Sequence, residues 1–297
     1  MTSLIAHEAE LEHLSSGCSW AEGPVWMPGT ESVRWSDIPN DRILEFHSRT
    51  GLTTVHRQGV EFTNGRTLDL DGNVVQCSHG NRAVEREIGG TATVIVDRWH
   101  GKRLNSPNDV VVASDGAIWF TDPPYGILPE GHEGHAGVEE YGGCFVFRYN
   151  ESTGSLTAVI TDMIRPNGLA FSADESVLYV SDTSGDDVPG GVAHIRAYDV
   201  VDGSCVNGRV FAEPRPGVPD GFRVDDAGRI WTSSASGVQI FASAGELVEQ
   251  IAVPEAVSNL CFGGADGSDL YITASTSLYR IRTTVTQALR PAALHGQ

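Results

Sequence analysis

The chain is short of basic residues, cysteines and apolar runs, and each shortage closes off a class of function. Lysine and arginine number 20 against 39 aspartates and glutamates, a formal net charge of −19. Such a balance argues against DNA, RNA and anionic membranes, which need basic patches. It suits a soluble protein and is compatible with cation binding. The five cysteines (Cys18, Cys77, Cys144, Cys205 and Cys261) are odd in number and scattered, with no C-x-x-C pair. A disulfide framework and a thiolate metal site are therefore not expected, and a reducing, cytoplasmic compartment is. The opening MTSLIAHEAELEHL has no basic stretch followed by an apolar one, so no signal peptide is expected. No apolar run approaches the roughly 18 residues needed to span a bilayer. The nucleophile elbow G-x-S-x-G, the zinc motif H-E-x-x-H, the Walker A loop and the dinucleotide motif G-x-G-x-x-G are all missing. His132-Glu133-Gly134-His135 has the residue types of a metal motif, but its spacing does not suit a helix face, and it reads as a solvated loop. No helix of three turns is expected. The first dozen residues carry weak helical character and could equally form a strand.

What is present is a repeat. Glu22, Asn64, Asn108, Asn167, Asp220 and Asn259 each precede, by 14 or 15 positions, the end of a short strand-like run. The runs are VRWSD (33–37), VVQCS (74–78), IWFTD (118–122), LYVSD (178–182), IWTSS (230–234) and LYITA (270–274). They are rich in β-branched and aromatic residues, and Asp71-Gly72, Asp115-Gly116 and Ala227-Gly228 stand before three of them as hairpin turns. Run ends recur at intervals of 41, 44, 60, 52 and 40 residues. Four-stranded units of that size, repeated radially, describe an all-β, six-bladed β-propeller. A single domain over 1–297 is expected, with the N-terminal segment completing the last blade. The long third interval holds an insertion from Pro123 to Gly143, rich in Gly, Glu and His.

In a propeller the first strand of each blade lines the central channel, so the six polar heads should gather at one mouth. They offer only carboxylate and amide oxygens, the donors that hard divalent cations prefer. Glu22 and Asp220 match the charge of such an ion, and two carboxylates near one axis are unfavourable without it. The plainer reading, that asparagine suits a bend before a strand, is the one expected for Asn64 and Asn259.

The segments AEGPVW (21–26), LNSPNDVVVASDGAIWFTDPPYG (104–126), RPNGLAFSADESVLYVSDT (165–183) and PDGFRVDDAGRIWTSS (219–234) resemble the senescence-marker-protein/gluconolactonase/luciferin-regenerating-enzyme family, in its bacterial gluconolactonase-type branch. The resemblance implies a six-bladed propeller with one catalytic divalent metal in the channel. It places metal ligands at Glu22, Asn167 and Asp220, with Asn108 as a further ligand or a substrate contact. It implies a metal-dependent lactonase acting on an aldonolactone such as gluconolactone or xylonolactone. Calcium comes first as the ion, with magnesium, manganese, zinc and iron open. Phosphotriester hydrolysis with the same ion, or a non-catalytic propeller that binds a cation or a partner, is the alternative.

A divalent ion can polarise the carbonyl of a cyclic ester while water attacks it. Asp220 is the candidate catalytic base, with a hydroxide held by the ion as the other possibility. Around the rim, Asn105, Asn108, His79, Asp122 and Tyr125 are candidate substrate contacts. For His79 and Asp122 a hydrogen-bond network within the blades is an equal alternative, and Asp109 and Asp182 read as structural. The small-molecule lactone is the only partner expected, with no nucleic acid and no membrane. The sequence carries no sign of oligomeric state.

Overall fold

Each of the six runs forms the second strand of a four-stranded antiparallel sheet, and the six sheets are the blades of a β-propeller. The structure, a computed structural model, describes residues 3–290; residues 1–2 and 291–297 of the expected domain lie outside these. Blades 1 to 5 follow one another along the chain, over residues 21–58, 63–96, 110–163, 166–212 and 222–252. Blade 6 takes three strands from residues 257–282, and its outer strand, Glu12–Ser16, pairs antiparallel with Ser277–Arg282. Leu4 is buried and Ile5 bridges Thr283, so the weak helical pattern of the first residues gives way to packing on this blade. Gly72, Gly116 and Gly228 all have positive φ in the turns where glycine was expected.

Burial falls from the axis outward. In the second strands Val74–Ser78, Ile118–Asp122 and Ile230–Ser234 every residue is buried. The outer strand Leu52–Gln58 has none. The reason is that inner strands are covered on both faces by neighbouring blades. The core is therefore a set of wedges between blades, such as Trp231, Ile240, Leu260 and Ile272 between blades 5 and 6. Another wedge joins Trp35 and Phe46 of blade 1 to Tyr271 and Leu278 of blade 6. All five cysteines are free thiols. Among the described residues no helix is long and apolar enough to cross a membrane.

Candidate active site

The heads sit where each first strand begins, and the backbone there is irregular in a repeated way. In blades 1, 2, 4 and 6 the register between first and second strand shifts at the head: Glu22/Val25, Thr63/Arg66, Pro166/Leu169 and Val257/Asn259. In blades 3 and 5 the ladder starts only at Val110 and Phe222, just past Asn108 and Asp220. An extra residue at this point re-aims a side chain out of the strand's alternation. Here it turns the heads toward the axis.

Hydroxyl groups then tie three of the heads to the blade before them. Ser36 Oγ donates to the carbonyl of Asn64 at 3.0 Å, Thr121 Oγ1 to that of Asn167 at 2.7 Å and Ser181 Oγ to that of Asp220 at 2.8 Å. These donors occupy the penultimate position of their runs. The run-final aspartates hold the approach to the heads: Asp37 accepts from the backbone of Ser19 at 2.8 Å, Asp122 from Asn105 at 2.7 Å and Asp182 from Ile164 at 2.8 Å. Glycine follows four of the heads, and at Gly221 the need is steric. A Cβ there would stand 2.0 Å from Cγ of Asn259 in the next blade.

Glu22, Asn64, Asn108, Asn167 and Asp220 converge on one cavity of about 170 Å³. Its other walls include Trp20, Tyr125, Glu133, Thr183, Asp186 and Asp187. Five of its lining side chains are carboxylates and none is a lysine, arginine or histidine. A wider groove of about 450 Å³, lined by Gly185, Gly191, His194 and Arg215 among others, shares Asp186 and Val218 with it.

The electrostatics are those of crowded, buried anions. Burial first, and the neighbouring Asp109 second, push the Glu22 carboxyl up to about 8. Burial and then Glu22 raise Asp220 well above the usual carboxylate range. Glu22 Oε2 accepts from the Gly23 amide and from Asn259 Nδ2, while buried Oε1 has no hydrogen-bond partner among the described residues. The backbone of Asp220 is pinned on both sides, its N–H donating to Ser233 Oγ at 2.7 Å and its carbonyl accepting from Ser181. Asn64 Oδ1 is likewise buried without a partner. Asn167 Nδ2 donates to Thr183 Oγ1 at 3.4 Å, which leaves its Oδ1 as the free end. Among the described residues no three His, Cys, Asp or Glu side chains gather as a metal-holding group; the oxygen set here is two carboxylates plus amides.

The rim residues divide. Asn108 and Tyr125 line the cavity; His79, Asn105 and Asp122 do not, and each is fully buried. Asn105 Nδ2 donates to the carbonyls of Asp122 and Gly143 at 3.1 and 2.9 Å, stapling together the two ends of the insertion. Asp122, pushed up to about 7 by burial, also accepts from the Tyr141 hydroxyl. His79 bonds Asn64 and the Glu133 backbone. These three side chains build the wall rather than face the cavity. Asp109 is buried beneath the heads, its Oδ1 accepting from Val110 N at 2.9 Å and its Oδ2 lying 3.9 Å from Arg223. Sequence reasoning missed Trp20, Thr183, Asp186 and Asp187. Glu133 belongs to the stretch read as a solvated loop, yet it turns inward, and burial pushes its carboxyl up to about 7.

Comparison with known proteins agrees with this architecture. A family model described as SMP-30/Gluconolactonase/LRE-like region matches residues 20–276. A gluconolactonase of Zymomonas mobilis subsp. mobilis is 32% identical over 298 residues, covering 92% of this chain and 81% of that one. A pentonolactonase of Haloferax volcanii is 30% identical over 273 residues, 88% of this chain and 84% of that one. The solved structure of a gluconolactonase from Xanthomonas campestris is 39% identical, with a TM-score of 0.87 over 94% of this chain and 91% of that one. With a match that spans nearly all of the propeller, the chain belongs to the SMP-30/gluconolactonase/LRE-like family.

Proposed function

We propose that the protein is a hydrolase that opens sugar lactones, aldonolactones such as gluconolactone or xylonolactone, to their aldonic acids with the help of one divalent cation. The observation that carries this reading is the convergence of Glu22 and Asp220 with Asn108 and Asn167 on one small cavity, in a chain whose relatives include lactonases. The residues fit a cation. Glu22 Oε1 is a buried acceptor with no partner among the described residues, burial with Asp109 raises Glu22 and burial with Glu22 raises Asp220, and no cationic side chain lines the cavity to compensate them. Glu22, Asn108, Asn167 and Asp220 would hold the ion through oxygen alone, a set that favours calcium and leaves magnesium, manganese, zinc and iron within reach. When bound, the cation supplies an electrophile for the lactone carbonyl and offsets the charge that develops on its oxygen.

The chain's own groups do the rest. Asp220 is held by its backbone, and among the described residues nothing donates to its carboxylate, which would accept the proton of the attacking water as the new C–O bond forms. That proton passes to the ring oxygen as the ring C–O bond breaks, which leaves a hydroxy acid and restores the carboxylate. Tyr125 and Trp20 wall the ring, and Asp186 and Asp187 keep the mouth negative, which favours departure of the aldonate. The free thiols suit a cytoplasmic setting.

The test is acid release from glucono-1,5-lactone, xylonolactone and an organophosphate, with and without chelator. Chelator-sensitive opening of the lactones is expected. Turnover of the organophosphate alone would replace this reading with a phosphotriesterase, and cation binding without any turnover would replace it with a binding propeller.

A further inference from the structure

Five of the six heads line the cavity and the sixth, Asn259, does not. Its side chain is buried beneath the others and is fixed at both ends. Oδ1 accepts from Leu260 N at 2.8 Å, and Nδ2 donates to Glu22 Oε2 at 3.0 Å, across 237 residues of chain. Its own carbonyl accepts from Thr273 Oγ1 at 3.1 Å. The amide also faces Asp109 and favours the charged form of that carboxylate. On its other face lies Gly221, the residue after Asp220, so close that any Cβ would overlap the amide. One side chain therefore touches both acidic members of the site: Glu22 through a hydrogen bond, and the backbone of Asp220 through contact with its neighbour.

We propose that Asn259 is a positioning residue of the cation site, which sets the orientation of the Glu22 carboxylate and the spacing between Glu22 and Asp220. The chemistry calls for an amide at this place. A carboxylate would add a third negative charge beside Glu22 and Asp109 and could donate no proton when ionised. An apolar side chain would leave Glu22 Oε2 only the hydrogen bond from its own neighbour's amide, and the carboxylate would be free to rotate. Groups that orient ligating carboxylates affect metal affinity nearly as strongly as the ligands do. This inference rests on the cation reading of the site, and the experiment separates the two.

Calcium and manganese are titrated by calorimetry into chelator-treated full-length protein. The parent is compared with Asn259→Ala, Asn259→Leu and Ile240→Ala, and each is also melted without cation. Ile240 is a fully buried core residue on the third strand of blade 5, outside the first strands that carry the heads, so its variant serves as the control for loss of stability. Both Asn259 variants should bind the ions roughly 10- to 100-fold more weakly, while Ile240→Ala melts lower and binds as the parent does. Asn259→Leu keeps the site filled should Asn259→Ala fold poorly. Parent-like affinity in the Asn259 variants would overturn the proposal and return Asn259 to a purely structural role. A parent that binds neither ion would overturn the cation reading itself.

Discussion

His79 donates its Nδ1–H to the carbonyl oxygen of Glu133 at 2.9 Å and so joins blade 2 to the insertion that walls the cavity. With the proton on Nδ1, Nε2 is left to accept from Asn64 Nδ2 at 3.3 Å. Both partners suit a neutral imidazole. The ring is fully buried, and burial pushes its pKa down to about 4.

A pH dependence follows. The folded value lies below the ordinary 6.5, so the stability tied to neutral His79 is complete above pH 6.5 and is lost as pH falls toward 4. Asp122 and Glu133, both raised to about 7, act in the opposite sense and gain stability when protonated. A difference measurement isolates the histidine. Urea unfolding at pH 7, 5.5 and 4.5 should show the parent losing more stability than His79→Gln, by on the order of 2–3 kcal/mol across the window. Parallel losses in the two proteins would rule out His79 as the titrating group.

Glu22→Gln and Asp220→Asn each remove one of the two carboxylates that meet at the axis. Either change should lower kcat/KM for gluconolactone by at least about 100-fold and weaken cation binding, with a strand-type circular dichroism spectrum retained. Full activity in either variant would contradict the assigned roles.

The insertion is held down by close packing. A Cβ on Gly134 would stand 2.2 Å from the Gly126 carbonyl oxygen, and one on Gly126 would stand 2.4 Å from His79 Cβ. Gly134→Ala should therefore lift the segment carrying Glu133, raise KM for lactones several-fold and leave cation affinity unchanged. The same KM as the parent across five- and six-membered lactones would reduce the insertion to a plain connector.

Thr121→Val keeps the shape of the side chain and removes the donor to the Asn167 carbonyl. An unsatisfied buried acceptor costs about 1–3 kcal/mol. The melting temperature should fall accordingly, and cation affinity should fall with it, because Asn167 loses its anchor to blade 3. A stability loss with cation affinity intact would separate the hydroxyl from the site.

Much of this was legible in the chain because the same side-chain chemistry recurs at one structural place. The spacing of heads and runs, together with the Asp-Gly turns, implied the blades, and the charge of Glu22 and Asp220 marked the axis. The connecting hydroxyls were equally visible, as Ser36, Thr121 and Ser181 at the penultimate position of three runs, but small polar residues in strands carry no obvious message until the neighbouring blade is in place. His79, Asn105 and Asp122 sit in conspicuous motifs, and nothing in a linear motif says whether a side chain faces the cavity or the wall behind it. The glycines of the insertion say nothing of their role in the linear chain, whereas Gly126 and Gly134 serve close packing. Glu133 was read as part of a solvated loop because its approach depends on contacts with residues more than fifty positions away.

The pairing of Glu12–Ser16 with Ser277–Arg282 has a consequence for how the protein comes into being. Glu12–Ser16 leaves the ribosome before the five blades that follow it and must wait, unpartnered, for Ser277–Arg282. Glu22 lies just beyond that waiting strand and Asn259 is made more than two hundred residues later, so their hydrogen bond cannot exist in a nascent fragment. Long-range pairings of this kind form late and slowly. A cation captured between Glu22 and Asp220 would bind only the closed ring, and by mass action would draw the last step of assembly to completion.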